Sequence, residues 1–288
     1  QRPEFAAESS VSKWNLILAE DIGMGLYMDL EEAVLADPDA KLMVTVGNAA
    51  PVYLDIPAVG EDGLYKFTVH TAAAQMTDPV KVQLVTSGLY GEVAEYSVRR
   101  YADYILTEKP EDFDDKTKNL VAAMLGYGGA AQIYFDHNAD VLASDGIILP
   151  AANTVPADSG MAVTDTIVGI DFYGASLMFQ SKTAIRYYFT AEDITLYTFT
   201  DGNGNALTPV AKGDKYYVQI SSIDPAALGD EVTVLVTAAD STDTISISYN
   251  AISYMARKFY DDTTAQSLKD LVQAIYDYHI AAKNFKEN

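Results

Sequence analysis

The chain has 288 residues, of which 41 are acidic and 19 basic, a formal net charge of −22. That balance excludes nucleic-acid binding by phosphate neutralisation and docking on anionic lipid, because both need a basic face or segment. Apolar residues make up 49% and cysteine is absent, so the chain buries a sizeable core while thiolate catalysis, disulfide scaffolds and cysteine-based metal sites are ruled out.

In chain order, residues 1–11 carry no regular period and are read as a tag or linker. With neither an initiator Met nor a signal peptide, the sequence is read as a mature or excised piece. Strands are predicted where apolar and polar residues alternate: Lys13 to Ala19, Met24 to Leu30, Lys41 to Val46, Val52 to Ile56, Leu64 to Thr71, Val80 to Val85 and Val93 to Val98. Ser97 to Thr107 then reads as a helix and Lys116 to Phe135 as a second. In the second, Leu120, Ala123, Met124, Tyr127, Ala131 and Tyr134 recur at steps of three and four and are expected to face a core. Gly126, Gly128 and Gly129 interrupt it; each costs a lone helix about 1 kcal/mol, which points to close approach of another backbone.

Asp140 to Thr164 mixes Gly, Pro, Ala, Asp and Ser without a period and reads as a linker. A second strand series follows at Ala175 to Gln180, Ala184 to Thr190, Leu196 to Thr200, Tyr216 to Ser221, Val232 to Thr237 and Ser246 to Tyr249. Asp201 to Asn205 (DGNGN) is a hairpin turn, since Gly and Asn tolerate positive φ. Helices close the chain at Asn250 to Tyr260 and Ala265 to Phe285. The longest nearly apolar stretch, Val121 to Ala131, is shorter than the roughly 20 residues that cross a bilayer as a helix.

The two series repeat one another. Leu120/Leu271, Val121/Val272, Ala123/Ala274, Tyr127/Tyr278, Ala130/Ala281 and Ala131/Ala282 are identical at constant spacing, where chance gives about one identity. Tyr96 and Tyr101 fall opposite Tyr249 and Tyr254, and Met24, Leu26, Met28 opposite Ile185, Tyr187, Phe189. The predicted fold is therefore α+β: two tandem copies of an antiparallel Ig-like β-sandwich, each followed by a two-helix hairpin. The copies span residues 12–139 and 165–288, joined by a linker at 140–164.

No catalytic motif survives a scan: GxSxG, HExxH, GxxxxGK[ST] and GxGxxG are all missing. His70, His137 and His279 lie in unrelated contexts, and the repeat replaces His279 by Gly128, so each is read as a surface histidine. Paired carboxylates leave a glycoside hydrolase as the least favoured alternative. Asp201, Asn203 and Asn205 start like a calcium loop, but Ala206 and Lys212 stand where that loop needs Gly and Glu, so a plain turn is preferred and neither cofactor nor metal is expected.

Binding is the better-supported class. Aligning the copies turns Tyr187, Phe189, Tyr216, Val218 and Ile220 inward. Tyr27 in the first copy and Arg186, Tyr188, Tyr217 and Gln219 in the second then face outward, as candidate ligand-binding residues: a flat ring with a polar tip beside Arg or Gln suits a sugar or a protein partner.

Three stretches, Gly63-Leu64-Tyr65-Lys66-Phe67 through Ala74-Gln75-Met76-Thr77-Asp78-Pro79-Val80, Tyr96-Ser97-Val98-Arg99-Arg100-Tyr101-Ala102-Asp103-Tyr104-Ile105-Leu106, and Leu120 to Gln132 (LVAAMLGYGGAAQ), resemble a module of large secreted proteins of gut clostridia. Phe172-Tyr173-Gly174-Ala175-Ser176-Leu177 and Ala206-Leu207-Thr208-Pro209-Val210 extend the resemblance over nearly the whole chain. It implies a non-catalytic part of a cell-surface protein, beside leucine-rich repeats, dockerins or enzyme domains, and carries over no established site residues. The expectation is an extracellular binding or adhesion module of a Gram-positive gut bacterium, monomeric and without membrane insertion, that recognises a host glycoprotein such as immunoglobulin or a polysaccharide. A structural spacer is the alternative.

Overall fold

A computed structural model of the chain describes residues 10–18, 22–164, 166–179, 183–239 and 243–287. The predicted strand ends at Ala19 and Gln180 and residues 1–9 of the predicted tag lie outside them. The fold is mixed α and β with antiparallel sheets, and the chain divides into two compact units, Gln1–Pro150 and Ala151–Asn288.

In the first unit, β1 (Ser10–Ile17), β2 (Gly23–Asp29) and β5 (Tyr65–His70) form one sheet in the order β1-β2-β5. The other sheet holds β3 (Lys41–Val46), β4 (Val52–Asp55), β6 (Val80–Val85) and β7 (Tyr90–Tyr96) in the order β4-β3-β6-β7, and a short helix, α1 (Glu32–Leu35), bridges β2 and β3 in sequence. Alternation decides which side is buried. Met24, Leu26 and Met28 of β2, Phe67 and Val69 of β5, Leu42 and Val44 of β3 and Val80, Val82 and Leu84 of β6 are all at most 5% exposed.

Ser97 caps α2 (Val98–Asp103) by accepting from Arg100 N. The helix predicted to run on to Thr107 widens instead into a π-helical turn, Tyr104–Glu108, closed by Lys109 N donating to Tyr104 O at 2.9 Å. Asp114 caps α3 (Asp115–Phe135), and Asp136 ends it at φ 53°. The α3 glycines do mark a close approach: a Cβ on Gly128 would stand 2.7 Å from Met76 Sδ, 2.9 Å from Ala143 Cβ and 3.3 Å from Ala73 O.

In the second unit, β9 (Ile170–Phe179), β10 (Thr183–Ala191), β13 (Val210–Lys212) and β14 (Lys215–Ser221) are ordered β13-β14-β10-β9. The other sheet joins β8 (Ala162–Thr164), β11 (Tyr197–Asp201), β12 (Ala206–Leu207), β15 (Val232–Ala238) and β16 (Thr244–Tyr249) in the order β12-β11-β15-β16-β8. Asn250 caps α4 (Ala251–Tyr260), and α5 (Gln266–Lys286) follows. Ile185, Tyr187, Phe189, Val218, Val234, Val236 and Ile247 fill the core together with Leu271, Val272 and Ile275 of α5. Of the five residues expected to face inward, Tyr187, Phe189 and Val218 are buried outright, whereas Tyr216 and Ile220 are half-buried.

The stretch 140–164 is held to the helices on both sides of the boundary. Arg99 of α2 donates from Nη1 to Ala143 O (2.6 Å) and Leu142 O (3.3 Å) and from Nη2 to Asp145 O (2.8 Å), while its Nε bonds Asp103. The fully buried Gln132 accepts from Ala143 N and donates to Val141 O. In the second unit, Asp277 accepts from Asn153 N and Nδ2 (2.7 and 2.8 Å), and Tyr260 donates to Val155 O. The stretch turns at Leu142–Asp145 and has no regular structure over residues 147–161; it is held largely through its backbone groups, with Ala143 and Val155 buried.

Candidate functional site

The outer side of the β13-β14-β10-β9 sheet brings four predicted residues together. Antiparallel register puts Arg186 opposite Gln219 and Ser176, and Tyr188 opposite Tyr217 and Gly174. Arg186 Nε donates to Gln219 Oε1 (2.7 Å), its guanidinium carbon lies 4.4 Å from the Tyr217 ring centre, and Gln219 Nε2 donates to Ser221 Oγ (2.6 Å). The Tyr188 and Tyr217 rings are 5.8 Å apart, Ser176 Oγ donates to Tyr188 OH (3.2 Å), and Lys212 Nζ stands 5.5 Å over the Tyr188 ring. Burial works to raise the Tyr188 phenol, but the hydroxyl of Ser176, the charge of Lys212 and the side chain of Arg186 outweigh it and hold its pKa below the ordinary tyrosine value. Every member is held by a neighbour, so the face is a preorganised, flat, half-exposed aromatic and cationic surface.

Tyr27 belongs to the first unit and is not part of this cluster. It lies between Lys13 of β1 and Lys66 of β5 in register, with their ammonium groups 4.6 and 5.8 Å from its ring centre. Lys13 also pairs with Asp62 at 2.7 Å, which raises the Lys13 pKa and lowers that of Asp62.

A second feature of the first unit escaped the sequence reading. A cleft of about 370 Å3, within the size range of small-ligand sites, is lined by Lys13, Trp14, Arg100, Tyr101, Tyr104 and Glu108. Trp14, the only tryptophan, packs at 4.8 Å against both Tyr96 at the end of β7 (tilted, 58°) and Tyr101 of α2 (edge-to-face, 78°); Tyr101 continues to Tyr104 at 5.8 Å, and Tyr104 to Phe113 at 6.1 Å. The π turn places Tyr104 and Glu108 at the rim, in keeping with the use of such turns at functional sites. Burial raises the phenols of Tyr96 and Tyr101, which stay neutral hydroxyl donors at physiological pH. The cleft thus offers flat rings for stacking, with a guanidinium and a carboxylate at its edge. The signal in the sequence was a single Trp on a strand, close in sequence to no other aromatic residue of the cleft.

Two of the three histidines depart from the surface reading. His279 is 5% exposed, and its Nδ1 lies 2.6 Å from Pro225 O, to which it donates. Burial, and secondarily the charge of Lys283, lower its pKa below 6.5. It is buried because α5 packs on the 3-10 turn Pro225–Ala227, the carbonyl replacing water as its partner. His137 is half-buried, its Nε2 3.0 Å from both carboxylate oxygens of the buried Asp78, which also accepts from Asn138 Nδ2 at 2.6 Å. His70 is exposed on β5. Asp201 is a turn residue: Oδ1 accepts from Asn203 N and Asn205 N, Oδ2 from Asn205 Nδ2, and these bonds lower its pKa. Among the described residues no group of three or more His, Asp or Glu could hold a metal ion, and no helix is long and apolar enough to cross a membrane.

The chain matches no protein-family model and no curated protein sequence.

Proposed function

We propose that this chain is a non-catalytic binding or adhesion module of an extracellular, multidomain surface protein of a Gram-positive gut bacterium, recognising a host glycoprotein or a polysaccharide. In this reading it is monomeric and consists of two diverged copies of one Ig-like sandwich with a helical hairpin. The strand orders support the duplication: β1-β2-β5 matches β9-β10-β14, and β4-β3-β6-β7 matches β12-β11-β15-β16. So do matching bonds: Ser97 and Asn250 cap the first helices, Arg99 N and Ile252 N donate to Met76 O and Leu228 O at 2.9 and 3.2 Å, and Thr71 N and Ile223 N donate to Ile22 O and Thr183 O at 3.0 Å each.

The observation that carries the binding reading is the solvent-open cleft of Trp14, Tyr101 and Tyr104. Aromatic rings left facing water beside Arg and Glu supply contact area at low entropic cost, the composition of binding hot spots. Arg186, Tyr188, Tyr217 and Gln219 supply a second, flatter surface of the same chemistry.

The test is a calorimetric screen of the chain against plant and mucin polysaccharides and against secretory glycoproteins, immunoglobulin included, followed by Trp14→Ala and Arg186→Ala on any ligand found. Trp14→Ala is expected to cost about 2 kcal/mol, about thirtyfold in affinity, with the helix content unchanged. A ligand whose affinity survives Trp14→Ala refutes the cleft. The spacer alternative predicts no ligand in the whole screen.

A further inference from the structure

We infer that the outer side of the β13-β14-β10-β9 sheet binds an acidic polysaccharide, a chain of sugars with carboxylates repeated along it, and that Arg186 and Lys212 hold a carboxylate beside the Tyr188 hydroxyl. This rests on the binding reading above, and it adds the charge and chemical class of the ligand that the second unit takes.

Cations are layered over rings on this face. The Arg186 guanidinium lies 4.4 Å from the Tyr217 ring centre, the Lys212 ammonium 5.5 Å from that of Tyr188 and the Lys215 ammonium 4.3 Å from that of Tyr173, which is 67% exposed. A site for a neutral sugar leaves its ring faces bare for stacking; here an approaching ligand meets charge first, with the rings as a floor that holds the cations in place. Two of the three lack a counter-ion: among the described residues neither Arg186 nor Lys212 has a carboxylate within ion-pair distance, in a chain where acids outnumber bases by 41 to 19. Both act on one hydroxyl. Lys212 of β13 and Arg186 of β10 reach the phenol of Tyr188, which also accepts from Ser176 Oγ at 3.2 Å. Arg186 Nε is taken by Gln219 at 2.7 Å, which fixes the plane of a guanidinium whose fork fits a carboxylate.

Lys215 adds a second cationic position. It stands one same-face step along β14 from Tyr217, about 7 Å away. Its partner Asp214, at 3.1 Å, is exposed, so that ion pair is worth little and yields to a ligand carboxylate. A carboxylate at Tyr188 and another at Lys215 suit charges repeated along a chain that lies flat on the sheet. The first unit places the same chemistry around the ring that the repeat matches to Tyr188: Tyr27 lies between Lys13 and Lys66. Lys13 is already paired with Asp62, so the second unit holds the stronger site. The acids elsewhere on the chain repel an anion only weakly here, because at physiological ionic strength the Debye length is about 8 Å and groups in contact are screened least.

The probes are unesterified polygalacturonate and alginate, which carry a carboxylate on every sugar, the same polygalacturonate methyl-esterified, and sialyllactose, with a single carboxylate. Each is titrated calorimetrically into the intact protein in calcium-free buffer. At least one of the two uronans is expected to bind saturably, and the methyl ester is expected not to bind. Lys212→Gln and Arg186→Gln, with the circular dichroism of the fold unchanged, are each expected to weaken that binding about tenfold, the loss of a charge-assisted contact. Lys212 is exposed, so its replacement leaves the sheet intact. Trp14→Ala is expected to leave uronan binding unaltered. A methyl ester as tight as the acid, sialyllactose as tight as the uronan, full affinity in both variants, loss with Trp14→Ala, or no binding of either uronan at millimolar carboxylate overturns the inference. A neutral polysaccharide or a glycoprotein found in the wider screen leaves the binding reading standing in each of those cases.

Discussion

Replacing the three glycines of α3 by alanine, one at a time, separates local helix propensity from the packing of the helix. In an unobstructed helix each Gly→Ala change stabilises by about 1 kcal/mol. At Gly126 the new Cβ meets only the flexible tip of Leu149, 3.2 Å from Cδ2, so the gain survives and Gly126→Ala is expected to be neutral to about 1 kcal/mol stabilising. At Gly129 the methyl would lie 2.3 Å from Ser144 Oγ and 3.1 Å from its Cβ; the hydroxyl can rotate, but the backbone of that turn must also yield, and a loss of about 1 kcal/mol is expected. At Gly128 the obstacles are Met76 Sδ at 2.7 Å, the rigid Cβ of Ala143 at 2.9 Å and the Ala73 carbonyl at 3.3 Å. Ala143 is fully buried and held through its N–H by Gln132, so it does not move aside. Overpacking of this kind costs about 1–3 kcal/mol, and with three rigid or buried obstacles at one site the upper end applies, which after the helix gain leaves a net loss of up to about 2 kcal/mol and a fall of up to roughly 6 °C in the melting point. Because the only tryptophan is Trp14, its fluorescence follows unfolding of the first unit alone in urea or on heating. The predicted order of stability is Gly126→Ala, then Gly129→Ala, then Gly128→Ala; a Gly128→Ala protein as stable as Gly126→Ala refutes the close approach of α3 to the turn at Ala73.

Two more predictions concern the interior and the boundary. His279 has a native pKa below its unfolded value of 6.5, so the unfolded state binds the extra proton; its contribution is present above pH 6.5 and is lost as the pH falls through the native value. The stability of the second unit, taken from the tyrosine circular dichroism transition once the first-unit transition reported by Trp14 is subtracted, is expected to weaken between pH 6.5 and 5, and His279→Gln is expected to flatten that slope; an unchanged slope refutes a neutral buried imidazole. Arg99→Met strips the donors from three carbonyls of the Leu142–Asp145 turn and is expected to cost about 2–3 kcal/mol, with faster amide exchange in residues 141–147. Unaltered exchange there means that Gln132 alone holds the turn.

Much of the sheet framework could be read from the chain because its strands are half-buried and alternate: β2, β3, β5, β6 and β10 fall within a residue or two of their predicted bounds. Register then brought Arg186, Tyr188, Tyr217 and Gln219 to one face, as the alternation implied. β8 was invisible for the converse reason, since its three residues are all exposed and carry no period; only pairing with β16 makes them a strand. The cleft was missed because Trp14, Tyr96, Tyr101 and Tyr104 come from β1, β7, α2 and the π turn, and no local pattern announces that four such elements converge. The π turn itself depends on where Tyr104 and Lys109 must sit, which helix propensity does not encode. His279 was misjudged on the same principle: the carbonyl of Pro225 that satisfies it lies far away in sequence.

The segment ahead of β8 bears on where the second unit can be cut from the chain. Because Asn153, Val155, Asp158 and Ser159 are tied to α5 and α4 before β8 and β9 begin, a piece that keeps the second unit whole starts near Ala151 and not at the first long strand. A joint placed just ahead of β9 would remove β8 and leave Ser246, Ile247 and Ser248 of β16 without their pairing strand, an edge prone to edge-to-edge association. Joints at Ala151 would leave it whole.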